Sequence, residues 1–313
     1  EEVREDRCLQ AKTVVEMENN INDESASKTC EYDPNVNQDE LIKAQEKQIA
    51  EELFLENVGE CTSRRERGDV LRTKPPRSSP YKIKANTAMV GSLDGLSSLE
   101  EEYSNDPVYS SKVKTLLPKF SNVRRTRPDG NCFLRGFIFA YLEYCIHHRD
   151  ELVRFKKYLE SSKEELFEIG FPKFTTEDFH DMFMEVVSDL EGSGSIDRVE
   201  AVCNDAGTSD YLVVYLRLLI SAHLQKNAEF FSFFIEGGRT VEEFCKQEVE
   251  PMYRECDHLH IVALTAAVGV GVRVMYLDRG EGDALVSHDF PEDKEPIIHL
   301  LYRPGHYDIL YKA

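Results

Sequence analysis

The spacing of apolar residues changes several times along the chain, and each change predicts an element. Up to about Gln38 apolar positions are sparse among Asn, Glu and Asp. That composition cannot bury enough apolar area to offset chain entropy, so residues 1–38 are expected to form a disordered acidic tail. From Asp39, residues Leu41, Ile42, Gln45, Ile49, Leu53 and Phe54 recur at roughly helical intervals with charges between them, which predicts one amphipathic helix over 39–58. The periodicity then stops. Arg64, Arg65, Arg67, Lys74, Pro75, Pro76, Arg77 and Pro80 mark residues 59–90 as a basic, flexible insertion or linker.

Residues 91–313 have the pattern of one compact, mostly helical body. Phe179, Met182, Phe183, Val186, Val187 and Leu190 line one face of a helix that Thr175 or Thr176 can cap and that stops at Gly192. Ser209 is the expected cap of a second helix, Asp210 to Gln225, apolar nearly all round and therefore central. Thr240 with Glu243 forms a capping box for a third, and a fourth covers Leu259 to Ala267. Strands are expected only late, at Val272 to Leu277, Ile297 to Tyr302 and Ile309 to Tyr311, each short, apolar or aromatic, and bounded by Gly, Pro or Asp. A few strands among many helices is an α+β fold, with a small sheet flanked by helices.

Charge changes the picture in one respect. The formal net charge is −20. It is unevenly spread: residues 1–60 carry 17 acidic against 6 basic side chains, a net of −11, whereas 61–90 carry 2 against 8, a net of +6. Such an acidic chain repels a phosphate backbone, so no nucleic-acid partner is expected, and a basic or neutral protein fits better. No membrane contact is expected either, because the longest uncharged apolar stretch, Ile261 to Val272, falls well short of the ~20 residues a spanning helix needs. Eight scattered cysteines in a long chain without a signal layout read as reduced thiols, which puts the protein in the cytoplasm, with the nucleus as a second compartment.

The chemistry concentrates at two places. In Arg127-Pro-Asp129-Gly130-Asn131-Cys132-Phe133, turn formers end where a helix begins, since Arg135, Phe137, Ile138, Tyr141 and Leu142 follow at helical spacing. A cysteine at that joint meets the unpaired N–H groups and positive end of the helix, which favour its thiolate. The same N–H groups, with those of the Asp129 to Asn131 turn, can face a developing oxyanion. In Tyr302-Arg-Pro-Gly305-His306-Tyr307-Asp308, a turn leads from one apolar strand into another. Residues two apart on a strand share a face, so the Asp308 carboxylate can hold the His306 ring. The residue pattern leaves two readings standing: a thiol enzyme built from these two segments, or a small buried cysteine and an unrelated surface turn.

The runs Arg127-Pro-Asp-Gly-Asn-Cys-Phe, Thr208-Ser-Asp-Tyr-Leu-Val-Val-Tyr-Leu-Arg-Leu-Leu, Ile235-Glu-Gly-Gly-Arg-Thr-Val and Arg303-Pro-Gly-His-Tyr-Asp-Ile-Leu-Tyr resemble the otubains, OTU-family deubiquitinases. The resemblance covers roughly Glu40 to Asn57 and Ser92 to the C-terminus. It implies a papain-like OTU cysteine protease fold over 91–313, with Cys132 as nucleophile, His306 as general base and acid, Asp308 orienting that histidine, and Asp129 shaping the oxyanion loop. It implies ubiquitin and polyubiquitin chains as partners, with hydrolysis of isopeptide bonds between units linked through ubiquitin's forty-eighth residue, and no cofactor. It also implies a noncatalytic alternative, inhibition of ubiquitin-conjugating enzymes through the N-terminal helix, although a helix packed on its own body would show the same pattern. Two features depart from the family: the basic stretch from about Gly59 to Thr87, and Leu134 and Gly136 where Tyr and Ala are expected.

Rival arrangements are weak. Cys256, His258 and His260 lack the Cys-x-x-Cys pairing of a zinc site, so no metal is expected. Gly237-Gly238 and Gly269-Val-Gly271 lack the glycine run and lysine of a phosphate loop and read as turns. His147 and His148 read as a solvated helix end.

Overall fold

A computed structural model describes residues 87–280 and 285–313. The acidic tail, the 39–58 helix and nearly all of the 59–90 linker expected above lie outside the described residues. In chain order the elements are β1 (Val90–Gly95), α1 (Ser97–Glu102), α2 (Pro107–Leu116), β2 (Phe120–Thr126), α3 (Cys132–His147), α4 (Arg149–Ile169), α5 (Lys173–Ser193), α6 (Ile196–Asn204) and α7 (Ala206–Lys226). There follow the short α8 (Ala228–Phe231), α9 (Val241–Phe244) running into a π turn, α10 (His258–Val268), β3 (Val272–Tyr276), β4 (Val286–Phe290), β5 (Ile298–Arg303) and β6 (His306–Lys312). The strands form one mixed sheet of order β1-β2-β6-β5-β3-β4, in which only β3 and β5 run parallel. The fold is α+β.

Strand alternation divides the core. On one face Leu301 and Leu310 join Met275, Leu277, Phe120 and Val123 against Leu96, Leu99, Val113 and Leu116 from the α1 and α2 region. On the other face Leu300 and Ile309 meet α3. Helices α4, α5, α6 and α10 pack around α3 and α7, and α7 is central as its all-round apolarity predicts.

Three expectations need correction. Strands are not confined to the end of the chain: β1 and β2 precede Cys132, and β4 forms an edge. Arg124 and Arg125 hide β2 from hydrophobic pattern reading, yet Arg124 is buried, its charge paired with Glu200 at 2.8 Å and its Nε donating to the Tyr311 hydroxyl at 3.1 Å. Neither Thr175 nor Thr176 caps α5, which starts at Lys173 after Pro172, a residue with fixed φ that enters a helix readily. Nor does Ser209 cap α7; the cap is Asp205, whose carboxylate accepts the Thr208 N–H at 2.8 Å. Ser209 Oγ instead accepts Arg135 Nη1 at 2.7 Å. The Thr240–Glu243 capping box is present as read, and Gly237, Gly238 and Gly269 sit in left-handed turns.

The helix-weakening Gly136 lies where α3 crosses the sheet. A Cβ there would stand 3.5 Å from Ile309 Cγ1 and Leu300 Cδ2 and 3.6 Å from Thr126 Cγ2, ordinary contact distances. Alanine therefore fits without displacing a neighbour and removes the propensity penalty, so Gly136→Ala should stabilise the body by about 1 kcal/mol in denaturant melts, with turnover unchanged. A destabilised variant would mean that α3 rides closer to the sheet than these distances allow.

Candidate active site

The first half of the site is the joint between β2 and α3. The chain leaves β2 at Thr126 and turns through Arg127–Asn131 before α3 begins at Cys132. Gly130 has φ +80°, and a Cβ on it would come within 2.4 Å of the Tyr253 carbonyl oxygen. Only glycine satisfies both conditions. Within the turn the Asp129 N–H donates to Arg127 O at 2.9 Å and the Asn131 N–H donates to Asp129 Oδ1 at 2.9 Å. Of the turn's N–H groups, those two are taken up internally. The Gly130 N–H and the first N–H groups of α3, which have no preceding helical turn to bond, are the donors left to face a ligand.

Asp129 is held from behind. Its Oδ2 accepts Arg135 Nε at 2.9 Å, while Arg135 also donates to Ser209 Oγ and Asp210 Oδ1, both at 2.7 Å. The Asp129 carboxylate thus closes the turn on one side and ties it through Arg135 to the start of α7 on the other.

Cys132 is 4% exposed. Burial pushes its thiol well above the ordinary value, and the hydrogen bond it receives from the Tyr307 backbone offsets only part of that. Asp129, Asp308 and the Cys256 thiol act in the same direction as burial. The expectation that the helix start alone would favour a thiolate is therefore overturned. Desolvation disfavours the charged form more strongly than partial helix charges favour it.

The second half of the site comes from β6. His306 and Asp308 share a face as the spacing of two predicts, and the imidazole Nε2 lies 3.0 Å from Asp308 Oδ1. Both are buried, at 2% and 0% exposure. The Cys132 sulfur contacts the backbone of Tyr307, the residue between them, and the Phe133 and Tyr307 rings meet edge to face at 5.3 Å. Two segments more than 170 positions apart in the sequence are thereby joined.

Around Asp308 the structure adds partners that sequence reasoning missed. Burial alone would raise its pKa; Arg303, His306 and Arg125 outweigh that and hold the carboxyl well below the usual carboxylate range. The Thr126 N–H donates to Oδ1 at 3.0 Å, Arg303 Nη2 pairs with Oδ2, and Arg125 Nη1 reaches Oδ2 at 3.4 Å. Glu102 balances both arginines at 2.7 Å. Arg303 stands in the quoted motif, but Arg125 and Thr126 belong to the strand that the apolar pattern did not mark.

The rival clusters are engaged elsewhere. His258 Nε2 meets the Tyr276 hydroxyl at 3.0 Å, and His260 Nδ1 caps α10 with Asp257 Oδ1 at 2.6 Å. Among the described residues no group of three or more His, Cys, Asp or Glu side chains is placed to hold a metal ion. His148 closes α3, its ring stacked on Tyr144.

A cysteine at a helix start, set against a strand bearing His-x-Asp on a sheet covered by helices on both faces, defines the papain-like class of cysteine hydrolases. Comparison with known proteins narrows that class. The family model Peptidase C65 Otubain matches residues 82–312, and the chain belongs to that family. It is 55% identical over 218 residues to ubiquitin thioesterase OTUB1 of Homo sapiens, covering 69% of this chain and 80% of that protein. It is 42% identical over 250 residues to the Arabidopsis thaliana ovarian tumor domain-containing deubiquitinating enzyme 1, covering 72% and 82%. Among solved structures, a ceOTUB1 complex with ubiquitin aldehyde and UBC13~Ub superposes with a TM-score of 0.70 at 35% identity, over 73% of this chain and 95% of that one.

Proposed function

We propose that this chain hydrolyses isopeptide bonds in ubiquitin chains, with preference for units joined through ubiquitin's forty-eighth residue, a lysine, by a Cys132–His306–Asp308 mechanism. The coarser statement, a cysteine-type ubiquitin hydrolase, follows from membership of the otubain family and from relatives described as ubiquitin thioesterases. The observation that supports the Cys132–His306–Asp308 mechanism is the meeting of the Cys132 sulfur with the backbone of β6 between His306 and Asp308; the linkage preference is carried over from the otubain resemblance alone.

In this mechanism Asp308 fixes the imidazole through Nε2, which assigns the other ring nitrogen, Nδ1, to proton exchange with the sulfur. Transfer of the thiol proton to His306 accompanies attack of sulfur on the carbonyl of ubiquitin's C-terminal glycine. The resulting oxyanion is met by the Gly130 and Cys132 N–H groups. Collapse expels the lysine amine, which takes the proton from His306 and leaves a thioester. Water, deprotonated by His306, then releases ubiquitin and restores the thiol.

A noncatalytic reading, capture of ubiquitin-charged conjugating enzymes, is favoured by one observation: the solved complex of similar fold contains UBC13~Ub. The two readings are compatible. A panel of di-ubiquitins of defined linkage, incubated with the full chain and resolved on a gel, tests the first. Selective cutting of the lysine-forty-eight dimer is the expected result. Equal cutting of all linkages would remove the specificity, and no cutting by folded protein would move the weight to the noncatalytic reading.

A further inference from the structure

The turn that precedes Cys132 faces a second loop, residues 250–256, with no sheet or helix bonding between them. Gly130 lies against the Tyr253 carbonyl, and Tyr253 itself holds a left-handed backbone with φ +66°. Two loops in this relation need a tie, or the N–H donors beside the nucleophile have no fixed direction. The tie is Arg217, from the middle of α7. Its Nη2 donates to Asn131 Oδ1 at 2.8 Å, Arg254 O at 2.6 Å and Gly130 O at 3.4 Å, and its Nη1 donates to Val249 O at 2.8 Å. The Tyr253 N–H completes the bridge by donating to the same Asn131 Oδ1 at 3.1 Å.

Arg217 is 0% exposed, and all four of its acceptors are neutral oxygens. Burying a guanidinium without a carboxylate partner is unfavourable, and an apolar side chain of similar size is often neutral or better for stability at such a place. An arginine here is therefore poorly explained by packing. Its planar fork reaches acceptors on both loops at once, which a lysine's single ammonium cannot do. The carbonyl of Gly130 and the N–H of Asn131 belong to one peptide plane, which Arg217 holds at the carbonyl and Asp129 Oδ1 at the N–H; the two planes flanking it carry the Gly130 and Cys132 N–H groups. Ser209 and Asp210, two turns earlier on α7, hold the same turn through Arg135 and Asp129. One helix thus grips the turn at two points.

We infer that Arg217 is a positioning residue for the hydrolysis, holding the Asp129–Asn131 turn to Val249 and the 250–256 loop so that the N–H groups beside Cys132 face the oxyanion. The inference rests on the Cys132 reading above. Its test compares wild type with Arg217→Lys and Arg217→Met, using ubiquitin with a C-terminal aminocoumarin amide as substrate.

Arg217→Lys should lower kcat by at least ~30-fold with KM within about threefold, somewhat less than the ~10²–10³-fold lost when an oxyanion donor is itself removed, because here the donors are misdirected and not deleted. Affinity for ubiquitin aldehyde, whose adduct carries the oxyanion, should weaken by the same factor as kcat/KM. Alkylation of Cys132 by iodoacetamide, which forms no oxyanion, should stay within about threefold of wild type. Arg217→Met should show the same signature in a folded protein. Should both variants fail to fold, Asn131→Ala removes the shared acceptor and should give the same split between kcat and KM.

Turnover and aldehyde affinity at wild-type levels in a folded Arg217 variant would overturn the inference. So would a uniform fall of alkylation, aldehyde affinity and binding of unmodified ubiquitin, which marks a merely structural role. The control is Cys132→Ala in the same assay: if it keeps turnover, the nucleophile assignment fails and not the role of Arg217 alone.

Discussion

Cys132→Ala is expected to lower isopeptide hydrolysis by at least about 10⁴-fold while leaving ubiquitin binding within a small factor of wild type, because the sulfur forms the covalent bond and the recognition surface lies outside it. Turnover of di-ubiquitin, together with equilibrium binding of unmodified ubiquitin, measures both. A fall in binding equal to the fall in turnover would mean that the substitution disturbs the turn and not only the nucleophile. The buried thiol adds a pH signature. With its pKa raised by burial, only a small fraction is thiolate at pH 7. Inactivation of the wild type by iodoacetamide should therefore be slow there and rise about tenfold per pH unit through pH 9. A rate already at its plateau at pH 7 would show that the resting sulfur is ionised.

Asp308→Asn should combine the second-largest loss of activity with a large loss of stability. The amide keeps the shape, and its oxygen can still accept the Thr126 N–H, but its NH₂ must then face the Arg303 and Arg125 guanidinium groups, donor against donor. Removing one charge from such a buried cluster costs roughly 3 kcal/mol; the imidazole keeps an oxygen at the Oδ1 position but loses the carboxylate charge that stabilises its protonated form, which costs roughly 10²–10⁴ in kcat. Denaturant melts and steady-state kinetics measure the two.

The dependence on pH follows from the direction of the shift. The folded-state pKa of Asp308 is depressed, so its contribution is fully present above the unfolded value near ~3.9 and is lost as pH falls through the lower folded value. The stability gap between wild type and Asp308→Asn should be flat from pH 8 to about 5 and close below about 4. A gap that closes near neutrality would assign the stabilisation to another group, the imidazole foremost.

What could be read from the chain, and what could not, divides along the range of the interactions involved. Local patterns carried the helix faces of α5 and α7, the Thr240–Glu243 box, the three late strands, and the placing of His306 and Asp308 on one face. Each depends on residues within a turn or two of one another, and their spacing states the answer directly. The nucleophile candidate was legible for the same reason, as turn formers followed at once by a helical period.

The tertiary structure decided the rest. β2 carries two arginines and so looks polar in isolation, yet it lies inside the sheet because Glu200, Glu102 and Asp308 arrive from distant elements to meet them. The cap positions of α5 and α7 moved because Pro172 and Asp205 reached the helix starts first, which left Ser209 to Arg135. Arg217 left a trace in the sequence, one cation within the apolar run Leu212 to Ile220, but its acceptors are carbonyls of remote loops that no pattern announces. The protonation of Cys132 also escaped local reading. Helix position is written in the sequence, whereas desolvation depends on what the whole chain packs over the sulfur, and here the second outweighs the first.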